Sequence, residues 1–139
     1  MVPPIREFFE APTYRWPAAA PEGDIVAFFR QDDRGHELAV LDLGRDGVTR
    51  SITDALPSDF AFPALWDRDE ERLFIHRDDV GGHDTNICAV SRDRTVETLI
   101  DRAGKCVLRD VSPGGEWLLF DRATHYEKEM RIFCTPITS

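Results

Sequence analysis

"PGGEWLLF" at residues 113–120 is one of three segments that decide the fold of this chain. It aligns without gaps with "PEGDIVAF" at 21–28 and "DRDEERLF" at 67–74, so Phe28, Phe74 and Phe120 stand 46 residues apart. Each segment opens on polar, turn-forming residues and runs into an apolar stretch closed by Phe. That is the pattern of a tight turn feeding a buried strand. The likeness extends in both directions. Upstream, Trp16-Pro17 stands 46 residues before Phe62-Pro63. Downstream, "ELAVLDL" (37–43), "NICAV" (86–90) and "MRIFCT" (130–135) give each repeat a further strand. Then "TRSITD" (49–54) matches "VETLID" (96–101) at a spacing of 47, with "GRDG" (44–47) and "SRDR" (91–94) as the hairpin turns before them.

Short strands at a fixed period predict one small antiparallel sheet per repeat, and 46 residues lies within the roughly 40–50 of known propeller blades. The expected fold class is therefore all-β, a partial β-propeller of about three four-stranded antiparallel blades. Residues 1–139 read as a single domain with an N-terminal lead-in over 1–13 and blades near 14–58, 59–104 and 105–139. The single predicted helix is "IREFFEA" at 5–11. A three-sheet sandwich with an accidental repeat is the competing arrangement. The aligned flanks around the three phenylalanines argue against it.

Composition narrows the function classes. A net charge of −9 is the wrong sign for a surface that binds phosphates, so no nucleic-acid partner is expected. No run reaches the roughly 18 apolar residues of a membrane span, and no membrane partner is expected. The start "MVPPIREFFEAP" has neither the basic nor the apolar part of a signal peptide, which makes a cytoplasmic location the expectation. Cys88, Cys106 and Cys134 form no CxxC pair, and their apolar neighbours predict small buried side chains rather than reactive thiols. Trp66 and Trp117 flank or enter the Phe strands and are expected in the blade core, with Trp16 also packed.

The run "HRDDVGGHDTN" (76–86) is the densest cluster of chemically active side chains. Asp78, Asp79, His83 and Asp84, with His76 nearby, are its candidate metal ligands. An Asp-rich loop can hold calcium through oxygen, but EF-hand spacing and a closing glutamate are both lacking. The run also has a partial copy one period earlier: Asp32, Asp33 and Gly35 precede Asp78, Asp79 and Gly81 by 46 residues. A repeated run is most simply the loop joining two strands of a blade, so no metal and no cofactor is expected. His76 and His125 fall in corresponding parts of two repeats with no sign of convergence on a substrate, and no catalytic residue is assigned.

The N-terminal phrase "PIREFFEAPTYRWPAAAPEGDIVAFF" resembles the opening of the N-terminal propeller in the prolyl oligopeptidase family, particularly its acylaminoacyl-peptidase-like branch. Phe8, Phe9 and Pro12 echo that family's Phe-Phe-x-x-Pro phrase with one extra residue. Pro21-Glu22-Gly23-Asp24 and Ser112-Pro113-Gly114-Gly115 echo its Ser-Pro-Asp-Gly turn. TolB-like and other WD-type propellers share the turn and strand. The resemblance implies a non-catalytic propeller, the part that gates substrate entry in a serine peptidase of that family. A stand-alone TolB-like module for protein–protein interaction is the alternative. The hydrolase domain is not expected here, because no Gly-x-Ser-x-Gly elbow occurs and three periods fill the 139 residues. Three blades fall short of the about 4–8 of closed propellers and would leave two apolar faces uncovered. A truncated piece, self-association of two copies, or a separately encoded hydrolase domain would each account for that.

Overall fold

The computed structural model describes residues 13–32, 35–45, 47–53, 64–78, 84–100, 104–123 and 129–137. The helix expected over 5–11 lies outside them. Three antiparallel meanders follow one another along the chain. The first is β1 (Thr13–Ala19), β2 (Ile25–Asp32), β3 (Gly35–Asp42) and β4 (Val48–Thr53), with a 3-10 turn at Leu43–Arg45. The second is β5 (Leu65–Trp66), β6 (Arg72–Asp78), β7 (Thr85–Ser91) and β8 (Val96–Ile100). The third is β9 (Lys105–Val111), β10 (Trp117–Ala123) and β11 (Arg131–Pro136). These are three successive propeller blades. Four strands per blade is correct for the first two, while the third has three among the described residues, with β11 as its outer edge.

The turn from the first strand of each blade to the second is built the same way three times. Ala20, Asp67 and Ser112 donate their N–H groups to the carbonyls of Ile25, Arg72 and Trp117, at 2.8, 2.9 and 2.8 Å. Each turn places one residue at positive φ: Gly23 at 84°, Glu70 at 60° and Gly115 at 74°. Glycine accepts that conformation freely, whereas Glu70 carries a Cβ clash worth roughly 1–2 kcal/mol. Side chains compensate in the second blade. Asp67 Oδ1 accepts from Arg68 N at 2.8 Å, Asp67 Oδ2 accepts from Arg72 Nη2 at 2.7 Å, and Asp69 Oδ1 accepts from Glu71 N at 3.0 Å. In the third blade Ser112 Oγ takes the N–H groups of Glu116 and Trp117, at 3.1 and 3.0 Å.

These turns correct the gapless alignment. From Gly23 to Glu70 is 47 residues and from Glu70 to Gly115 is 45, so the period of 46 is an average of two unequal steps. The structural counterpart of Phe28 and Phe120 is Ile75, not Phe74. A strand alternates faces at every residue, so a one-residue offset moves a side chain to the opposite side of the sheet. Phe74 does point the other way, as the two cores demonstrate.

One core lies between the first and second sheets, where Ala27, Phe29, Leu38 and Val40 meet Leu73, Ile75, Cys88 and Val90. The other lies between the second and third, where Phe74, Ile87 and Ala89 meet Leu108, Leu118 and Phe120. The middle blade is thus covered on both faces. Leu73, Phe74, Ile75, Ile87, Cys88, Ala89 and Val90 are all at most 1% exposed, which explains why β6 and β7 read as continuous apolar runs rather than alternating ones. Each large side chain so buried contributes roughly 1.5–3 kcal/mol.

Three expectations about buried side chains change. Trp66 is buried, but Trp16 and Trp117 are 42% and 44% exposed. Trp16 sits at φ 56° in a β-bulge between Arg15 and Ala18, on the outermost sheet among the described residues. Trp117 opens β10 beside the solvent-facing turn. Cys88 and Cys106 are buried as expected, whereas Cys134 is exposed, paired with Leu119 on the outer side of the third sheet.

Candidate functional site

The first strands β1, β5 and β9 are neighbours along one edge of the stack. In a propeller that edge faces the central channel. The exposed side chains there are Tyr14, Arg15, Trp16 and Pro17 on β1 and Arg109 and Asp110 on β9.

The joints between blades are fixed by polar pins at this inner side. Trp66 Nε1 donates to Ala18 O at 2.9 Å, and Glu70 Oε1 accepts from Glu22 N at 2.7 Å, tying the second blade to the first. Toward the third blade, Arg68 Nε donates to Ser112 O at 3.3 Å. Arg68 lies so close to the third turn that a Cβ on Gly115 would meet its Cγ at 2.8 Å. Gly115 is therefore required twice, for its φ and for this approach.

His76 is the most informative of these pins. It is 4% exposed, and its Nε2 accepts from the backbone N–H of Leu108 at 2.7 Å. Leu108 belongs to the β-bulge of β9, where Leu119 and Phe120 of β10 pair with Asp110 and Leu108 and leave Arg109 between them. Burial disfavours the charged ring and lowers the imidazole pKa from 6.5 to about 4, so the ring is a neutral acceptor at physiological pH. The sequence places His76 among candidate ligands; the structure makes it part of the joint between blades.

The other candidates are scattered or undetermined. Asp78 ends β6, paired with Thr85. Asp84 Oδ1 accepts from Gly104 N at 2.7 Å, which together with Thr85 N to Gly104 O at 3.0 Å pins the start of the third blade. Asp79, His83 and His125 lie outside the described residues. Among the described residues no group of three or more His, Cys, Asp or Glu side chains converges as a metal site would. No helix among them is long and apolar enough to cross a membrane.

Among the described residues, two sheet faces carry no further sheet. On the first blade, Val26, Phe28 and Leu41 are half-buried and Tyr14 is 62% exposed, its ring edge-on to Phe28 at 5.7 Å. With Arg15, Pro17 and Thr49 they line a shallow depression of about 450 Å³. On the third blade the outer face carries Leu119 and Asp121, paired with Cys134 and Ile132. Ile132 is 78% exposed, and Arg109 Nε donates to Asp121 Oδ2 at 2.7 Å. Sequence reading finds the need for such faces but not the residues on them, because the faces follow from the true register of the blades.

No protein-family model and no curated protein matches the sequence. Solved structures do match. A putative TolB from Agrobacterium tumefaciens superposes at a TM-score of 0.71 and 20% identity, over 88% of this chain and 43% of that one. Prolyl oligopeptidase B from Galerina marginata, bound to a 35-residue hydrolysis and macrocyclization substrate, superposes at 0.65 and 11% identity, over 91% of this chain and 20% of that one. A structure from a study of two prolyl endopeptidases superposes at 0.63 and 15% identity, over 87% of this chain and 22% of that one. The fold is a partial β-propeller of the TolB and prolyl oligopeptidase type. The chain spans less than half the length of each of these proteins. The fold resemblance read from the N-terminal phrase and the blade turns is thereby borne out.

Proposed function

We propose that this chain is a non-catalytic propeller module whose role is to wall and restrict access to the active site of a serine hydrolase of the prolyl oligopeptidase type. The observation that carries this reading is the three-blade stack, whose first strands share one inner edge and present Arg15, Arg109 and Asp110 to solvent there. Side chains of that kind can exclude or admit a peptide by charge and bulk while taking no part in bond cleavage. The superposition on two prolyl oligopeptidase-type enzymes supports the assignment of that role.

The second reading is an interaction module of TolB type, favoured by the higher TM-score of the putative TolB and the larger share of it that is matched. Two measurements separate these readings. Chromogenic acylaminoacyl and prolyl substrates should show no turnover with the purified chain, and turnover blocked by a fluorophosphonate would overturn the non-catalytic reading. Affinity capture from the native cell extract should return an α/β-hydrolase in stoichiometric amount. A single partner that is not a hydrolase would replace the gate with the interaction module.

A further inference from the structure

The two open faces are the two halves of a blade joint that the molecule already contains twice. Using the turn register, the outer residues of the third blade, Leu119, Asp121, Ile132 and Cys134, are the counterparts of Phe74, His76, Ile87 and Ala89 in the second. Those second-blade residues pack on the third blade. In the first blade, Trp16, Val26 and Phe28 are the counterparts of Leu108, Leu118 and Phe120, which receive the second blade. One face thus has the positions that approach a following blade, and the other has the positions that accept a preceding one.

We propose that the occupant of each open face is a second copy of this chain, joined head to tail, with the outer face of the third blade of one copy seated on the outer face of the first blade of the other. Two such joints close a ring of six blades from two three-blade chains, inside the range of about 4–8 found for closed propellers. A heterologous contact of this kind forms a closed assembly when its rotation closes. The polar detail of the internal joint has a counterpart as well. His76 accepts the N–H of the bulge residue Leu108. Asp121 stands at the His76 position, and Trp16 stands at the Leu108 position in a bulge that likewise adds one residue, although Trp16 alone of the two has a positive φ. Three exposed large apolar side chains lie on the faces of this joint: Tyr14 and Trp16 on the first blade, and Ile132 on the third.

Sedimentation equilibrium across a concentration series tests the proposal, with the intact chain and two variants at highly exposed positions, Tyr14→Glu and Ile132→Glu. The intact chain should reach twice its 15.8 kDa mass. Each variant alone should remain at the single-chain mass, with an unchanged far-ultraviolet circular dichroism spectrum to verify folding. An equimolar mixture of the two should regain association, because one joint in the mixed pair is made only of unaltered faces. An intact chain that stays monomeric throughout the series would overturn the proposal. So would a Tyr14→Glu or Ile132→Glu chain that still pairs with itself, since the contact would then join like faces or lie elsewhere. Gating and interaction roles are both compatible with either mass, so this outcome and that of the hydrolase capture are independent.

Discussion

His76 couples the stability of the molecule to pH through its burial between two blades. Its pKa is 6.5 in an unfolded chain and about 4 in the joint between the second and third blades. The unfolded state therefore binds a proton first as pH falls. The stabilisation is complete above pH 6.5 and is lost progressively down to about 4. A tenfold change in proton affinity is worth about 1.4 kcal/mol, so the loss across that window is roughly 3 kcal/mol. Urea unfolding between pH 7.5 and 4 should trace this decline, and a His76→Gln chain, which keeps an acceptor but cannot titrate, should flatten it. An unchanged slope in the variant would assign the pH dependence to other groups. Gly115 offers a second single-residue test. An alanine there meets both a φ of 74° and the Arg68 side chain at 2.8 Å. Gly115→Ala should cost about 1–3 kcal/mol, read as a lowered thermal midpoint. Gly23, with φ 84° and no atom within 4 Å of an added Cβ, should cost about half as much on the same substitution.

The strands themselves are largely legible in the sequence. β2, β6 and β10 each carry the apolar run that the repeat marks, and β3, β7 and β11 carry the one that follows. The phase between blades is not legible, because a gapless match of three phenylalanines outscores the correct steps of 47 and 45. Phe74 makes the consequence measurable. It is 0% exposed in the second core, whereas Phe28 lies on an open face and is half-buried. Phe74→Ala should cost about 3–5 kcal/mol, as large truncations in packed cores do. Phe28→Ala, measured by denaturant unfolding in dilute solution, should cost less than half as much. Equal costs would restore the simple 46-residue equivalence of the two. The run at 76–86 misleads for a related reason. His76 and Asp84 each serve a neighbouring blade through a backbone N–H, of Leu108 and of Gly104. A contact between residues 32 apart in the chain leaves no mark in a local motif.

At the scale of the whole molecule, charge acts against the association that the open faces favour. Each chain carries −9, so two copies repel at long range until salt screens them. Raising ionic strength should therefore shift the sedimentation equilibrium toward the doubled mass. Weakening with added salt would instead indicate that ion pairs across the joint dominate it.

Local pattern by itself determined that this protein is all-β, that it is built from three repeated sheets, and where most of their strands run. Those features depend on period-2 alternation and on turn-forming residues, which act over a few neighbours and leave their trace in order along the chain. Tertiary structure alone decided which face of each strand is buried, that the middle blade is covered on both sides, and that Trp16, Trp117 and Cys134 are exposed. Those features depend on how one sheet lies on the next, and an offset of a single residue reverses them.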